Sequence, residues 1–222
     1  MLPRILEPEV MDTPEDARDY DAMDHSAVNK AFVADFLLAF PIGFGSIIDV
    51  GTGTARIPIK LAMQCPYMQI VAIDLAEEML IVARKNIDDA GFGERIRIKL
   101  ANGRKLPYAN DIFSAVVSNS IIHHIPQPFD CLAEIVRVCR TDGYLFVRDL
   151  LRPNTLEDLQ HLVRTYAAGA NPQQRQLFSQ SLHAALTLEE VQELVGRLGF
   201  AKECVQQTSD RHWTFRGVKA RF

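Results

Sequence analysis

Asp49, Gly51 and Gly53 stand two residues apart at the end of an apolar run, Ile47-Ile48-Asp49-Val50-Gly51-Thr52-Gly53-Thr54-Ala55. A helix is expected to begin just beyond them. Glycine has no Cβ, so the chain can turn tightly there and lie against a ligand. The first turn of the following helix offers unpaired N–H groups and a positive dipole end. That chemistry suits an adenosine-containing molecule. A dinucleotide turn reads G-x-G-x-x-G and sets a pyrophosphate on the helix. Here Arg56 occupies the third glycine position, and the Asp49 carboxylate would repel a pyrophosphate. A ligand with a cationic end fits better, and S-adenosylmethionine carries a sulfonium and an ammonium.

The stretch D-x-G-x-G-x-A at Asp49–Ala55 resembles motif I of the class I S-adenosylmethionine-dependent methyltransferases. Asp74 closes the next apolar run, where a carboxylate can accept from both ribose hydroxyls or cap the helix starting near Leu75. Ala101-Asn102-Gly103-Arg104-Lys105-Leu106-Pro107-Tyr108 is similar to the family's G-D-A-x-x-L-P-F stretch. The resemblance implies that Asn102 accepts from the adenine amine, in place of the usual acid, and that the Gly103 N–H meets the ring. It also implies that Asn119 lies against the methionine end and that Tyr20 closes over the cofactor. The expected cofactor set is therefore Tyr20, Asp49, Gly51, Thr52, Gly53, Asp74, Leu75, Asn102, Gly103 and Asn119, with S-adenosylhomocysteine as the product. Ser118-Asn119-Ser120 lacks the [D/N]-P-P-Y signature of enzymes that methylate amino groups of nucleic-acid bases or glutamine.

Methyl transfer from a sulfonium is an in-line displacement with a neutral leaving group, so alignment is its main requirement. A base is needed only for a protonated acceptor. His123 and His124 follow the fourth strand, and adjacent helical residues point about 100° apart, so one of them is expected to face a pocket. Asp149 reads either as a pocket acid or as a member of an ion-pair cluster with Arg148 and Arg152. Arg152, Tyr166 and Arg211 are candidate acceptor contacts, although Arg211 could equally pair with Asp210. The four cysteines are scattered and the chain shows no metal-ligand spacing, so no metal is expected.

These residues need strands that end together. Alternating apolar runs predict strands over 46–50, 69–74, 95–100, 111–119 and 143–151, with helices over 24–40, 54–64, 76–90 and 128–139 between them. Thr187 and Glu190 form a capping-box pair opening a last helix to about Gly199, and 201–208 and 212–218 read as two paired closing strands. The fold class is α/β: a Rossmann-like three-layer sandwich on a mostly parallel seven-stranded sheet with an antiparallel closing strand. Residues 1–24 are expected to be an arm or lid. Residues 25–222 form one domain, and 152–186 is a helical insertion capping a substrate pocket.

The chain has 222 residues, 48% of them hydrophobic, and a formal charge of −4. That charge argues against a nucleic-acid partner. The acidic start has no apolar core and no run is long enough to span a bilayer, so a cytoplasmic monomer or homodimer with a small-molecule methyl acceptor is expected. Three rivals remain: an RNA methyltransferase, a nicotinamide-dependent oxidoreductase, and a protein that binds the cofactor without catalysis.

Overall fold

The computed structural model describes residues 2–7, 12–40 and 45–220. Seven strands form one sheet: β1 (Gly45–Val50), β2 (Met68–Asp74), β3 (Ile96–Leu100), β4 (Phe113–Asn119), β5 (Cys139–Leu150), β6 (Val205–Ser209) and β7 (His212–Val218). Their order is β3-β2-β1-β4-β5-β7-β6. The first five pair in parallel, and β7 runs antiparallel to both β5 and β6. The expected sheet, including its antiparallel closing strand, is present.

Side-chain alternation along the strands builds a core on each face. Ile48, Val50, Val116, Leu145 and Val147 join Trp213 and Phe215 on one side. There they meet α5 (Pro128–Val138) and α8 (Leu188–Arg197) through Leu132, Ile135, Val191 and Val195. Ile47, Ile70, Ala115 and Phe146 face the other way. They pack on α2 (Ser26–Ala39), α3 (Arg56–Gln64) and α4 (Glu77–Asp89) through Phe32, Phe36, Leu61 and Ala83. Phe146 meets Phe32 edge-on with ring centroids 5.0 Å apart.

Three local features differ from the sequence expectation. The helix expected over 128–139 stops at Val138, and β5 starts at Cys139 instead of Gly143. A register shift between Phe113 and Ala115 and a positive φ of 60° at Asp142 absorb the change. The closing strand expected from 201 starts at Val205, after a 3-10 turn over Lys202–Cys204. Residues 14–22 of the expected arm form a helix, α1 (Pro14–Ala22), with proline in its first turn and Thr13 accepting from the Asp16 N–H. Of its residues only Ala17 is buried, so it carries almost no apolar periodicity to read.

The insertion is two helices, α6 (Leu156–Tyr166) and α7 (Pro172–Ala184), each opened by a capping box. They share a small apolar cluster with Leu150 and Leu2. Residues 2–7 lie along them, with Leu2 N–H donating to the Asn154 carbonyl and Ile5 N–H to that of His183.

Candidate cofactor and acceptor site

The sheet reverses its winding between β1 and β4, and an α/β sheet binds ligands at that switch, beyond the strand ends. A cleft open to solvent lies there. Gly51 and Gly53 form its floor, Asp74, Leu75 and Met79 one wall, Asn102 and Gly103 the end, and Asn119, Ile121 and His124 the other wall. Tyr20 of α1 also lines it.

The glycine turn is fixed from below. The N–H groups of Gly51 and Thr52 donate to the Ile73 carbonyl. Gly51 has φ 76°, and a Cβ there would lie 2.1 Å from the Ile121 side chain. Gly53 has φ 54° and donates its N–H to Asp74 Oδ2 at 2.8 Å. The other Asp74 oxygen accepts from the Ala76 N–H at 3.0 Å, so Asp74 serves the cleft wall and the entry to α4 together. Burial raises the pKa of this carboxyl, against the hydrogen bonds it accepts.

Asp49 lies beneath the turn, 1% exposed. Its Oδ2 accepts from the Thr52 hydroxyl at 2.7 Å, and its Oδ1 has no hydrogen-bond partner among the described residues. Burial pushes its pKa up to about 7, and the nearby Asp74 charge adds to the rise. Asn119 Oδ1 is likewise buried and unpartnered. Asn102 Oδ1 accepts from the Arg104 N–H at 2.9 Å, an Asx turn that fixes the amide at the cleft end.

Arg56, which replaces the third glycine, reaches away from the cleft. Its guanidinium holds Asp21 with two bonds of 2.8 and 2.6 Å, and Asn86 donates to the same carboxylate. The residue that breaks the dinucleotide pattern thus fastens α1 to α3.

A second chamber, also open to solvent, continues along α1 and α2. Tyr20, Gly51 and Asn119 border both spaces. His25 lies in the second chamber, its ring 4.9 Å from that of Tyr20 and its Nε2 buried without a partner. Burial lowers its pKa against the pull of Asp24 and Asp21, which favours the neutral imidazole. Nothing in the sequence singled out His25, since no motif surrounds it.

Of the expected catalytic residues, only His124 borders the cleft. His123 is buried behind it with Nδ1 on Asp149 Oδ1 at 2.5 Å. Asp149 also accepts from the backbone N–H groups of Ile122 and Leu150. Burial opposes the charge on both partners, but their mutual attraction wins, raising the His123 pKa and lowering that of Asp149. The expected acceptor contacts are not brought to either chamber. Arg152 is buried and binds Glu190 and the Ala185 carbonyl. Arg211 stacks on Tyr166, whose hydroxyl donates to Asp210.

Similarity follows the same map. A family model described as a methyltransferase domain matches residues 48–147, from within β1 to within β5, which include most of the cleft lining. A malonyl-[acyl-carrier protein] O-methyltransferase of Geobacter sulfurreducens is 31% identical over 83% of this chain and 66% of its own length. The chain is similar in sequence to S-adenosylmethionine-dependent methyltransferases of the class I type. A ubiquinone/menaquinone biosynthesis C-methyltransferase of Citrifermentans bemidjiense is 30% identical over 54% of this chain and 52% of its own. The chain thus spans less than two thirds of these curated relatives. In fold it resembles an S-adenosylmethionine-dependent methyltransferase from Aquifex aeolicus, with TM-score 0.69, 17% identity, and coverage of 94% of this chain and 99% of the other.

The residues present fit the family's cofactor, S-adenosylmethionine. Gly51 and Gly53 bring bare backbone to the cleft, and the unpartnered oxygens of Asp49 and Asn119 suit a ligand bearing a sulfonium and an ammonium. Among the described residues no helix is long and apolar enough to cross a membrane.

Proposed function

We propose that the chain transfers the methyl group of S-adenosylmethionine to a small-molecule acceptor. The observation that carries this reading is the switch-point cleft, where Asp74 is held by the glycine turn and Asn119 presents an unpartnered oxygen. Asp74 binds the ribose, Asn102 and Gly103 the adenine, and Asn119 the methionine end. Asp49 supplies negative potential from below, and Tyr20 closes the cleft to water. Bound there, the cofactor supplies an electrophilic methyl on sulfur.

The acceptor takes the second chamber, which meets the cleft at Tyr20, Gly51 and Asn119. Alignment across that shared border is the chain's main contribution to rate. The neutral His25 Nε2 accepts the acceptor's proton when the nucleophile carries one. The formal charge of −4 and the acidic α1 disfavour a nucleic-acid acceptor.

The test is transfer of labelled methyl to a panel of carboxylate, phenol or quinol, and amine acceptors, spanning the chemistries named in the relatives. His25→Ala should lower kcat by about a hundredfold, with S-adenosylhomocysteine affinity changed less than about twofold. Equal turnover by the variant would remove His25 from the reaction. Binding of the cofactor with no transfer to any acceptor would favour the non-catalytic reading.

A further inference from the structure

Glu7, His123 and His124 converge on one point. A carboxylate oxygen of Glu7 and one nitrogen from each ring lie within 4.8 Å of one another. Glu7 Oε1 is 3.5 Å from His123 Nε2 and 3.0 Å from His124 Nδ1. Ligand atoms on a tetrahedral ion with bonds of about 2.0–2.1 Å are separated by roughly 3.3 Å. The two separations to Glu7 bracket that spacing, and the two ring nitrogens lie within 4.8 Å of each other. Their contacts are poor as hydrogen bonds, and His124 Nδ1 is buried without a bonded partner despite its closeness to Glu7.

The surroundings match a metal centre too. Asp149 holds Nδ1 of His123, which turns Nε2 toward Glu7. A carboxylate behind a ligating imidazole is the usual means of fixing its tautomer and direction. Ser181 donates to Glu7, and the guanidinium of Arg4 is taken up by the carbonyls of Ala184, His123 and Ile125. Ligation requires both imidazoles to give up any second proton, and the carboxylates of Glu7 and Asp149 against the Arg4 guanidinium then leave one net negative charge for the cation. Two nitrogens and one oxygen suit a borderline divalent ion such as Zn²⁺ or Co²⁺ rather than Mg²⁺ or Ca²⁺.

We propose that Glu7, His123 and His124 form a divalent transition-metal site that fastens the N-terminal segment to the turn after β4. Its fourth position is left to water or a ligand. Because His124 also borders the cofactor cleft, the ion would fix that wall while the segment is in place.

The experiment is titration of the chelator-treated full chain with Co²⁺, read by visible d–d absorption, and with Zn²⁺, read by calorimetry. One equivalent should bind, with Co²⁺ bands of a tetrahedral ion that Zn²⁺ abolishes. Glu7→Gln and His124→Ala should each weaken binding by about a hundredfold or more. His161→Ala, on an exposed face of α6, should bind like the parent and shows that a lone histidine is not the site. Circular dichroism confirms that each variant is folded. Lack of stoichiometric uptake by the parent, or uptake undiminished in both ligand variants, would overturn the proposal. Neither result bears on cofactor binding, which is measured separately.

Discussion

Asp49 combines a carboxylate, near-complete burial and one unpartnered oxygen beneath the glycine turn. Its pKa near 7, raised from the ordinary value, makes two signed predictions. The folded state holds this proton more tightly than the unfolded chain, so its contribution to stability falls as pH rises from about 4 to about 7 and stays lost above. Cofactor binding runs the other way, since the cation favours the ionised form. Affinity for S-adenosylmethionine should rise as pH is raised through about 7, and Asp49→Asn should flatten that profile while raising the melting temperature at pH 8. A pH-independent affinity in the parent would separate Asp49 from the ligand. At this scale the sequence was most legible where a motif is local. Gly51, Gly53 and Asp74 lie in the cleft as their spacing implied. Glu7 meets His123 only through the fold, and His25 has no motif around it, so neither could be read from neighbours in the chain.

The elements matter because specific contacts tie them together around the switch. Ser118 Oγ donates to the Val50 carbonyl and ties β4 to β1 at the switch. Asp21 and Arg56 tie α1 to α3. That bond is partly exposed, so its net stabilisation is small, on the order of 1 kcal/mol or less. Its larger effect is expected on how firmly α1 is held beside the cleft. Asp21→Ala should speed S-adenosylhomocysteine release several-fold in stopped-flow displacement with little change in melting temperature. High salt should bring the parent toward the variant. At the glycine floor the expectation is harsher. Gly51→Ala would place a methyl 2.1 Å from Ile121 on a left-handed backbone, costing on the order of 2–3 kcal/mol in chemical denaturation. Strand and helix positions were legible from periodicity, because the sheet is buried on both faces and each helix has one apolar stripe. The exception is α1, which packs mainly through Ala17 and Tyr20 and leaves the rest polar.

Across the whole molecule, two apolar cores share one sheet, and β1, β4 and β5 contribute side chains to both. Loss of either core removes support from the other, so unfolding should be one cooperative step. Trp213 is the only tryptophan, fully buried on β7 at the far side of the sheet from α2. Its fluorescence and the far-ultraviolet dichroism should report the same denaturation midpoint. Separate midpoints would mean that the closing strands form their own unit. The sheet order and its antiparallel closure followed from the alternation of strand and helix signals and the paired runs near the end of the chain. The placement of α6 and α7 against residues 2–7 did not, because it depends on contacts between distant segments with weak patterns.

The central claim is that the switch-point cleft takes an adenosyl sulfonium ligand. Its most direct measurement is calorimetric titration with S-adenosylhomocysteine beside NAD, repeated on Asp74→Ala with circular dichroism to confirm folding. The expected result is one micromolar site for S-adenosylhomocysteine, no site for NAD, and at least a tenfold loss in the folded variant, about 1.4 kcal/mol or more. Binding of NAD alone, or equal affinity in parent and variant, would contradict the assignment of the cleft.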